Sequence, residues 1–167
     1  LGSLTLIEAG NEVQKQNLLT KVAKGDSLVT LALSEPFSIN CPDSFEVEAT
    51  LEDKEYRIQG TKLFVLDAHI ADYMICAAKT GKDISFFLVD AASPGLTIKL
   101  LTTISGVKQC EVNFNSVIVN SSDVLGELNH GGEYIENILP KATIAKCAEM
   151  VGGAQRVLEM TVDYAKE

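Results

Sequence analysis

The sequence predicts a mainly β fold: an antiparallel β-barrel or sandwich flanked by α-helical remnants of two helical domains. Three observations predict it. From about Leu28 to Val119, short apolar runs are separated by turn residues at roughly ten-residue intervals. Within that stretch, Phe45–Leu51 alternates apolar and polar residues, the period of a half-buried strand. At both ends of the chain, apolar residues recur at helical spacing instead.

Each element has its own justification. Asn11 is a candidate N-cap with Gln14 as its capping-box partner; Leu18, Leu19, Val22 and Ala23 form the apolar stripe of a helix, and Gly25 ends it. Phe45–Leu51 and Glu55–Ile58 form a hairpin across the Glu-Asp-Lys turn. Leu31-Ala-Leu-Ser-Glu-Pro36 is a buried strand and its terminus, and Gly60-Thr-Lys is a turn leading into the strand Lys62–Leu66. Tyr73–Ala78, Ile84–Asp90, Leu96–Leu100 and Glu111–Val119 complete the strands, with turn chemistry at Gly81-Lys-Asp and Ser93-Pro-Gly. A helix follows Gly131-Gly132, is interrupted at Pro140, and continues through Ile144, Ala148, Val151, Leu158, Val162 and Ala165. It reaches the last residue uncapped, and no initiator Met opens the chain. The expected organisation is therefore an excised piece: residues 1–27 from the end of one helical domain, 28–128 as the β-domain, and 129–167 as the start of a second helical domain.

Composition narrows the function. The 167 residues are 46% hydrophobic and 22% charged, with a formal charge of −9, which is globular stock. The acidic balance argues against nucleic acid and against anionic membranes as partners. No apolar run approaches the roughly 20 residues needed to span a bilayer, and no basic segment precedes an apolar one as in a secretory signal. Cys41, Cys76, Cys110 and Cys147 are widely spaced, as reduced thiols of a cytoplasmic protein would be. His69 and His130 lie far apart and outside metal-type spacing. Nucleophile-elbow, Walker and dinucleotide-loop patterns are all missing, and the carboxylates are scattered without an acid–base pairing.

One ordered set of motifs is more specific. Leu31-Ala-Leu-Ser-Glu-Pro36 resembles the Ala-Leu-Thr-Glu-Pro signature of the acyl-CoA dehydrogenases, and Gln59-Gly-Thr-Lys62 resembles their Asn-Gly-x-Lys. Ala71-Asp72, Phe87-Leu-Val-Asp90 with Pro94-Gly95, and Asn113–Val117 with Leu125-Gly126 follow in the family's order. Ala148–Gln155 and Asp163–Lys166 are similar to the first helix of the family's C-terminal domain, and Asn11–Lys15 with Ala23–Gly25 to the end of its N-terminal one.

The resemblance implies α,β-dehydrogenation of an acyl-CoA thioester with FAD, in a dry site where a hydrogen-bonded carbonyl acidifies the α-proton. It implies an electron-transfer flavoprotein as acceptor and an oligomeric full-length protein. Leu31, Leu33 and Ser34 correspond to the strand that contacts the flavin ring. Phe64, Val65 and Leu66 correspond to the family's Trp-Ile-Thr beside it, so the aromatic is kept and the hydroxyl is not. Where the family has a glycine-rich turn for pyrophosphate, this chain has Phe37-Ser-Ile-Asn-Cys-Pro42. Asn40 is the candidate donor there, both to the cofactor and to substrate. The family's catalytic glutamate and its Arg-x-Gln-Phe-Gly run are expected beyond Glu167, so no catalytic residue and no metal ligand is assigned, and the piece alone is expected to be inactive. The alternative is a non-catalytic subunit of the same family that pairs with an active partner, with Ile39, Asn40 and Leu66 as its motive; a plain partner-binding β-module is the third reading.

Overall fold

The computed structural model describes residues 1–38 and 45–166. Two helices, where the sequence predicts one, precede the sheet: α1 (Gly2–Ala9) and α2 (Glu12–Lys24). Gly10 is extended between them, and Asn11 then restarts the helix. Asn11 Oδ1 accepts from Gln14 N, and Gln14 Oε1 accepts from Asn11 N, both at 2.9 Å. This satisfies two orphan donors of the first turn reciprocally. Gly25 closes α2 at φ 78°, a left-handed C-cap. The Gln14 amide also donates to the carbonyls of Ser122 and Val124, pinning α2 to the end of the sheet.

Among the described residues, eight strands form one sheet: β1 (Val29–Ala32), β2 (Glu48–Glu52), β3 (Glu55–Leu66), β4 (Tyr73–Thr80), β5 (Asp83–Asp90), β6 (Leu96–Leu101), β7 (Gln109–Asn120) and β8 (Val124–Leu125). Their order is β6-β7-β3-β2-β4-β5-β8, with β1 also beside β4. Most neighbouring strands pair antiparallel, as expected, and two pairs are parallel. β1 runs parallel to β4, Leu31 opposite Ile75, and β2 meets β4 in parallel through Glu48 and Lys79. The intervening β2–β3 hairpin returns the chain to the end of the sheet where β1 began, so β4 re-enters in the same direction as β1. β4 is also buried on both faces, which is where parallel pairing is found.

The hairpin itself is as the sequence predicts. Asp53 and Lys54 have φ 46° and 76°, the pair of left-handed residues that a twisted two-residue turn needs. β3, in contrast, is one long strand; Gly60 is not a turn but sits inside it. Two irregularities bend β3 against β7. Near Gly60 the extra residue is on β7, where Ser116 adopts φ 59° and its amide donates to Gln59 Oε1. Between Lys62 and Val65 the extra residue is on β3, where Phe64 adopts φ 56°. Such bulges sharpen twist and re-aim side chains.

The sheet curls so that β3 and β7 pack onto β4 and β5: Tyr56, Ile58, Val112, Phe114 and Val117 meet Met74, Cys76, Phe87 and Val89 in one buried cluster. The Tyr56 and Phe87 rings lie 5.0 Å apart and tilted. Among the described residues β6 and β8 are the two ends of the hydrogen-bonded path and do not pair with each other, so the sheet is not closed. A second cluster covers the outer face of β4 and β5 with helices: Leu6, Ala9 and Leu18 join Ile75, Ala77, Phe86 and Leu125. The helix α3 (Gly131–Lys166) contributes Ile135 and Ile138 to it.

Contrary to the expected interruption, α3 continues through Pro140. Its first turns are fixed on the sheet, Gly131 so closely that a Cβ would lie 2.7 Å from the Ile84 carbonyl oxygen. One missing N–H is a local loss that this anchored helix tolerates. Beyond Ala142 the described residues of α3 are exposed on every side, with Ile144, Val151, Leu158 and Val162 among them.

Candidate functional site

The C-terminal half of β3 and the end of β1 lie side by side, and a groove of about 400 Å³ opens between them. Leu31, Leu33 and Ser34 line one wall; Leu63, Phe64 and Leu66 line the other; Leu1, Gly2 and Leu139 close the ends from α1 and α3. The left-handed Phe64 turns the strand outward, which leaves Phe64 44% and Leu66 40% exposed at the groove. Thr30 Oγ1 donates to the Leu66 carbonyl at 2.7 Å, and Leu63 N donates to the Ser34 carbonyl at 2.8 Å. These two bonds cross between strands that share no ladder among the described residues.

The sequence-predicted residues are thus mostly gathered. Leu31, Leu33, Ser34, Phe64 and Leu66 face the same space. Val65 does not: the extra residue at Phe64 shifts the alternation of β3 by one and turns the Val65 side chain into the inner cluster, where it is 1% exposed. Only its backbone can reach a molecule in the groove. Asn40, the candidate donor to both cofactor and substrate, lies outside the described residues.

Beneath the walls is a feature that residue-by-residue sequence reading passes over. Lys62 and Glu35 form a fully buried ion pair, Nζ to Oε1 at 2.6 Å, with side chains 0% and 1% exposed. Lys62 Nζ also donates to the Leu33 carbonyl at 3.0 Å and sits 4.0 Å above the Phe45 ring. The Glu35 carboxylate accepts from the Glu46 and Val47 amides. Each charge has therefore several partners, the condition for tolerating a buried ion pair. Burial holds the Lys62 ammonium below its ordinary pKa, opposed by the attraction of Glu35. The sequence carried a signal for this pair, since Glu35 and Lys62 are the one acid and the one base set in apolar runs of the two quoted motifs.

Burial also pushes the Cys76 thiol up to about 12 from 9.0, with Lys62 pulling the other way. The unfolded thiol loses its proton near pH 9 while the folded one keeps it, so the contribution to stability is complete below 9 and lost as pH rises toward 12. Over that window the parent should lose stability faster than Cys76→Ala, by about 1.4 kcal/mol per pH unit. Urea titrations from pH 8 to pH 11 measure the difference; parallel pH profiles would refute it.

Chemically, the groove offers contact surface. Its described lining is largely aliphatic and aromatic, Asp67 is its only acidic side chain, and no Lys, Arg or His side chain faces it. Nothing there pairs an acid with a base. Leu31, Leu33 and Phe64 give the groove an apolar surface, with strand-edge backbone beside it. No group of three or more metal-ligating side chains exists among the described residues. No described helix is long and apolar enough to cross a membrane.

Comparison with known proteins agrees with this geometry. Residues 30–117 match the family profile of the acyl-CoA dehydrogenase middle domain. An acyl-CoA dehydrogenase of Bacillus subtilis is 30% identical over 175 residues, covering all of this chain and 46% of the relative. The butyryl-CoA dehydrogenase of Megasphaera elsdenii superposes with a TM-score of 0.75 at 27% identity, over 79% of this chain and 37% of that one. A glutaryl-CoA dehydrogenase from Mycobacterium smegmatis, solved in complex with FADH2, shares the fold with a TM-score of 0.71 at 24% identity, over 74% of this chain and 33% of that one. The chain spans about half the length of the curated relatives it matches. Its profile match covers more than half of its residues and includes both walls of the groove, and the chain belongs to the acyl-CoA dehydrogenase family.

Proposed function

We propose that the full-length protein is an FAD-dependent acyl-CoA dehydrogenase and that this stretch forms one wall of its flavin site. The observation that carries the reading is the convergence of Leu31, Leu33, Ser34, Phe64 and Leu66 on one groove. Leu31, Leu33 and Phe64 would hold the faces of the isoalloxazine ring, and the strand edges at Ser34 and Leu66 its polar rim. When bound, the flavin supplies the two-electron acceptor for α,β-dehydrogenation of a thioester. The role of this chain is to position the ring and keep water away from it. In this reading residues 28–128 are the β-domain, bounded by 1–27 and 129–167 of two helical domains. Acyl-CoA is the substrate and an electron-transfer flavoprotein the acceptor. The full-length chain is oligomeric and works in the cytoplasm.

The described lining has no cationic side chain for phosphate and no acid–base pair. The 167 residues by themselves are accordingly expected to bind FAD weakly and to turn over no thioester; submicromolar affinity in a titration of this chain would contradict that. For the full-length protein, purification should yield a yellow flavoprotein whose visible absorbance bleaches when acyl-CoA is added anaerobically. A colourless full-length protein that ignores added FAD refutes the reading.

The second reading is a non-catalytic subunit that pairs with an active partner. The observation that favours it is Leu66, which presents hydrocarbon at the groove where the resembling motif places a hydroxyl. FAD uptake without bleaching by any acyl-CoA would select it.

A further inference from the structure

We infer that Lys62 and Glu35 are positioning residues for the flavin, because their buried ion pair sets the separation of the two groove walls. This rests on the flavin reading of the groove. β1 and β3 are not ladder neighbours among the described residues, so no ladder fixes their distance. Four hydrogen bonds do so instead, one from Thr30 Oγ1 to the Leu66 carbonyl and three at the consecutive residues Leu33, Ser34 and Glu35. Lys62 Nζ binds the Leu33 carbonyl, Leu63 N binds the Ser34 carbonyl, and Lys62 Nζ binds the Glu35 carboxylate. Leu33 and Ser34 belong to one wall, and Leu63, next to Lys62, to the other.

The carboxylate extends the clamp to a third segment through the Glu46 and Val47 amides. Neither charge reaches water, so drawing the walls apart leaves an ammonium and a carboxylate unpaired inside the protein. A polar pair of this kind resists displacement far more steeply than apolar contact does. Neither side chain lines the groove, so neither touches the flavin; both act through the backbone that does.

The test uses the full-length protein as Lys62→Met and Glu35→Gln, the latter conserving shape and an acceptor oxygen. Val89→Ala, a core truncation away from the groove, serves as a control for lost stability. The expected result is FAD affinity weakened on the order of tenfold or more in both pair variants, since a displaced wall loses contacts to the ring. The visible band of the bound flavin should shift with it. Val89→Ala, though less stable, should keep the parental affinity and spectrum. Parental affinity and spectrum in both pair variants would overturn the inference and leave the pair a purely structural element.

Hydrogen exchange on the flavin-free protein separates this claim from the reading beneath it. The Leu63 amide should lose protection in Lys62→Met while β4 and β5 keep theirs. Unchanged Leu63 exchange refutes the clamp itself, whereas a parent that takes up no FAD refutes the flavin role whatever the exchange shows.

Discussion

Lys62→Met is expected to lower the unfolding free energy by about 3–5 kcal/mol, the usual result of leaving one member of a buried pair behind. Methionine nearly matches the lysine stem in volume, so packing over Phe45 survives and the loss is electrostatic. What is left is a carboxylate that is 1% exposed, held by two backbone amides and facing no counter-charge. The companion Glu35→Gln/Lys62→Met should regain most of the loss, because the amide needs no cation and still accepts from Val47. Urea unfolding monitored by circular dichroism gives both numbers, with m unchanged if the transition stays two-state. A single variant costing less than about 1 kcal/mol, the range of exposed pairs, would show that water reaches the pair.

The same pair shows where sequence reasoning was sufficient and where it was not. Local chemistry was legible. The Asn11/Gln14 box, the Gly25 cap and the Asp53-Lys54 turn each depend on residues within a few positions of one another, and each is present. Alternation likewise located the strands, because one buried face repeats every second residue. Long-range facts were harder to read. The parallel β1–β4 pairing joins residues 44 apart and leaves no local trace.

Gly60 is ambiguous in a different way, since a glycine marks a turn and a crowded strand equally well. Pro140 misled because a helix break was inferred from one residue, whereas the anchoring of Gly131, Ile135 and Ile138 decided the path. At the site, the motifs located both walls of the groove. The motif correspondence names Val65 among their residues without saying which way its side chain points, and the extra residue at Phe64 turns it to the core. Glu35 and Lys62 have no role that local spacing reveals, because their meaning lies in a contact between segments 27 residues apart.

Gly60→Ala tests the crowded-strand account, with an expected destabilisation of about 3 kcal/mol. Two costs fall on the same new atom. At φ 135° an L residue pays backbone strain of about 1–3 kcal/mol. The added Cβ would also stand 2.9 Å from Val47 Cγ2 and 3.0 Å from Val47 Cα, and the second neighbour is backbone that cannot swing aside. Overpacking of this kind costs about 1–3 kcal/mol more. Relief requires β3 to withdraw from Val47, whose amide is bound to Glu35 and whose carbonyl accepts from Lys79. The disturbance therefore runs toward the buried pair, and Lys62 Nζ should lose its contact to the Leu33 carbonyl before the strand gives way. Gly132→Ala is the matching control: nothing lies within 4 Å of its new methyl, and its backbone is helical. It should leave stability unchanged or raise it by up to about 1 kcal/mol. Thermal unfolding of the two variants decides the matter, and a Gly60→Ala protein as stable as the parent would mean that β3 does not press on Val47 as described.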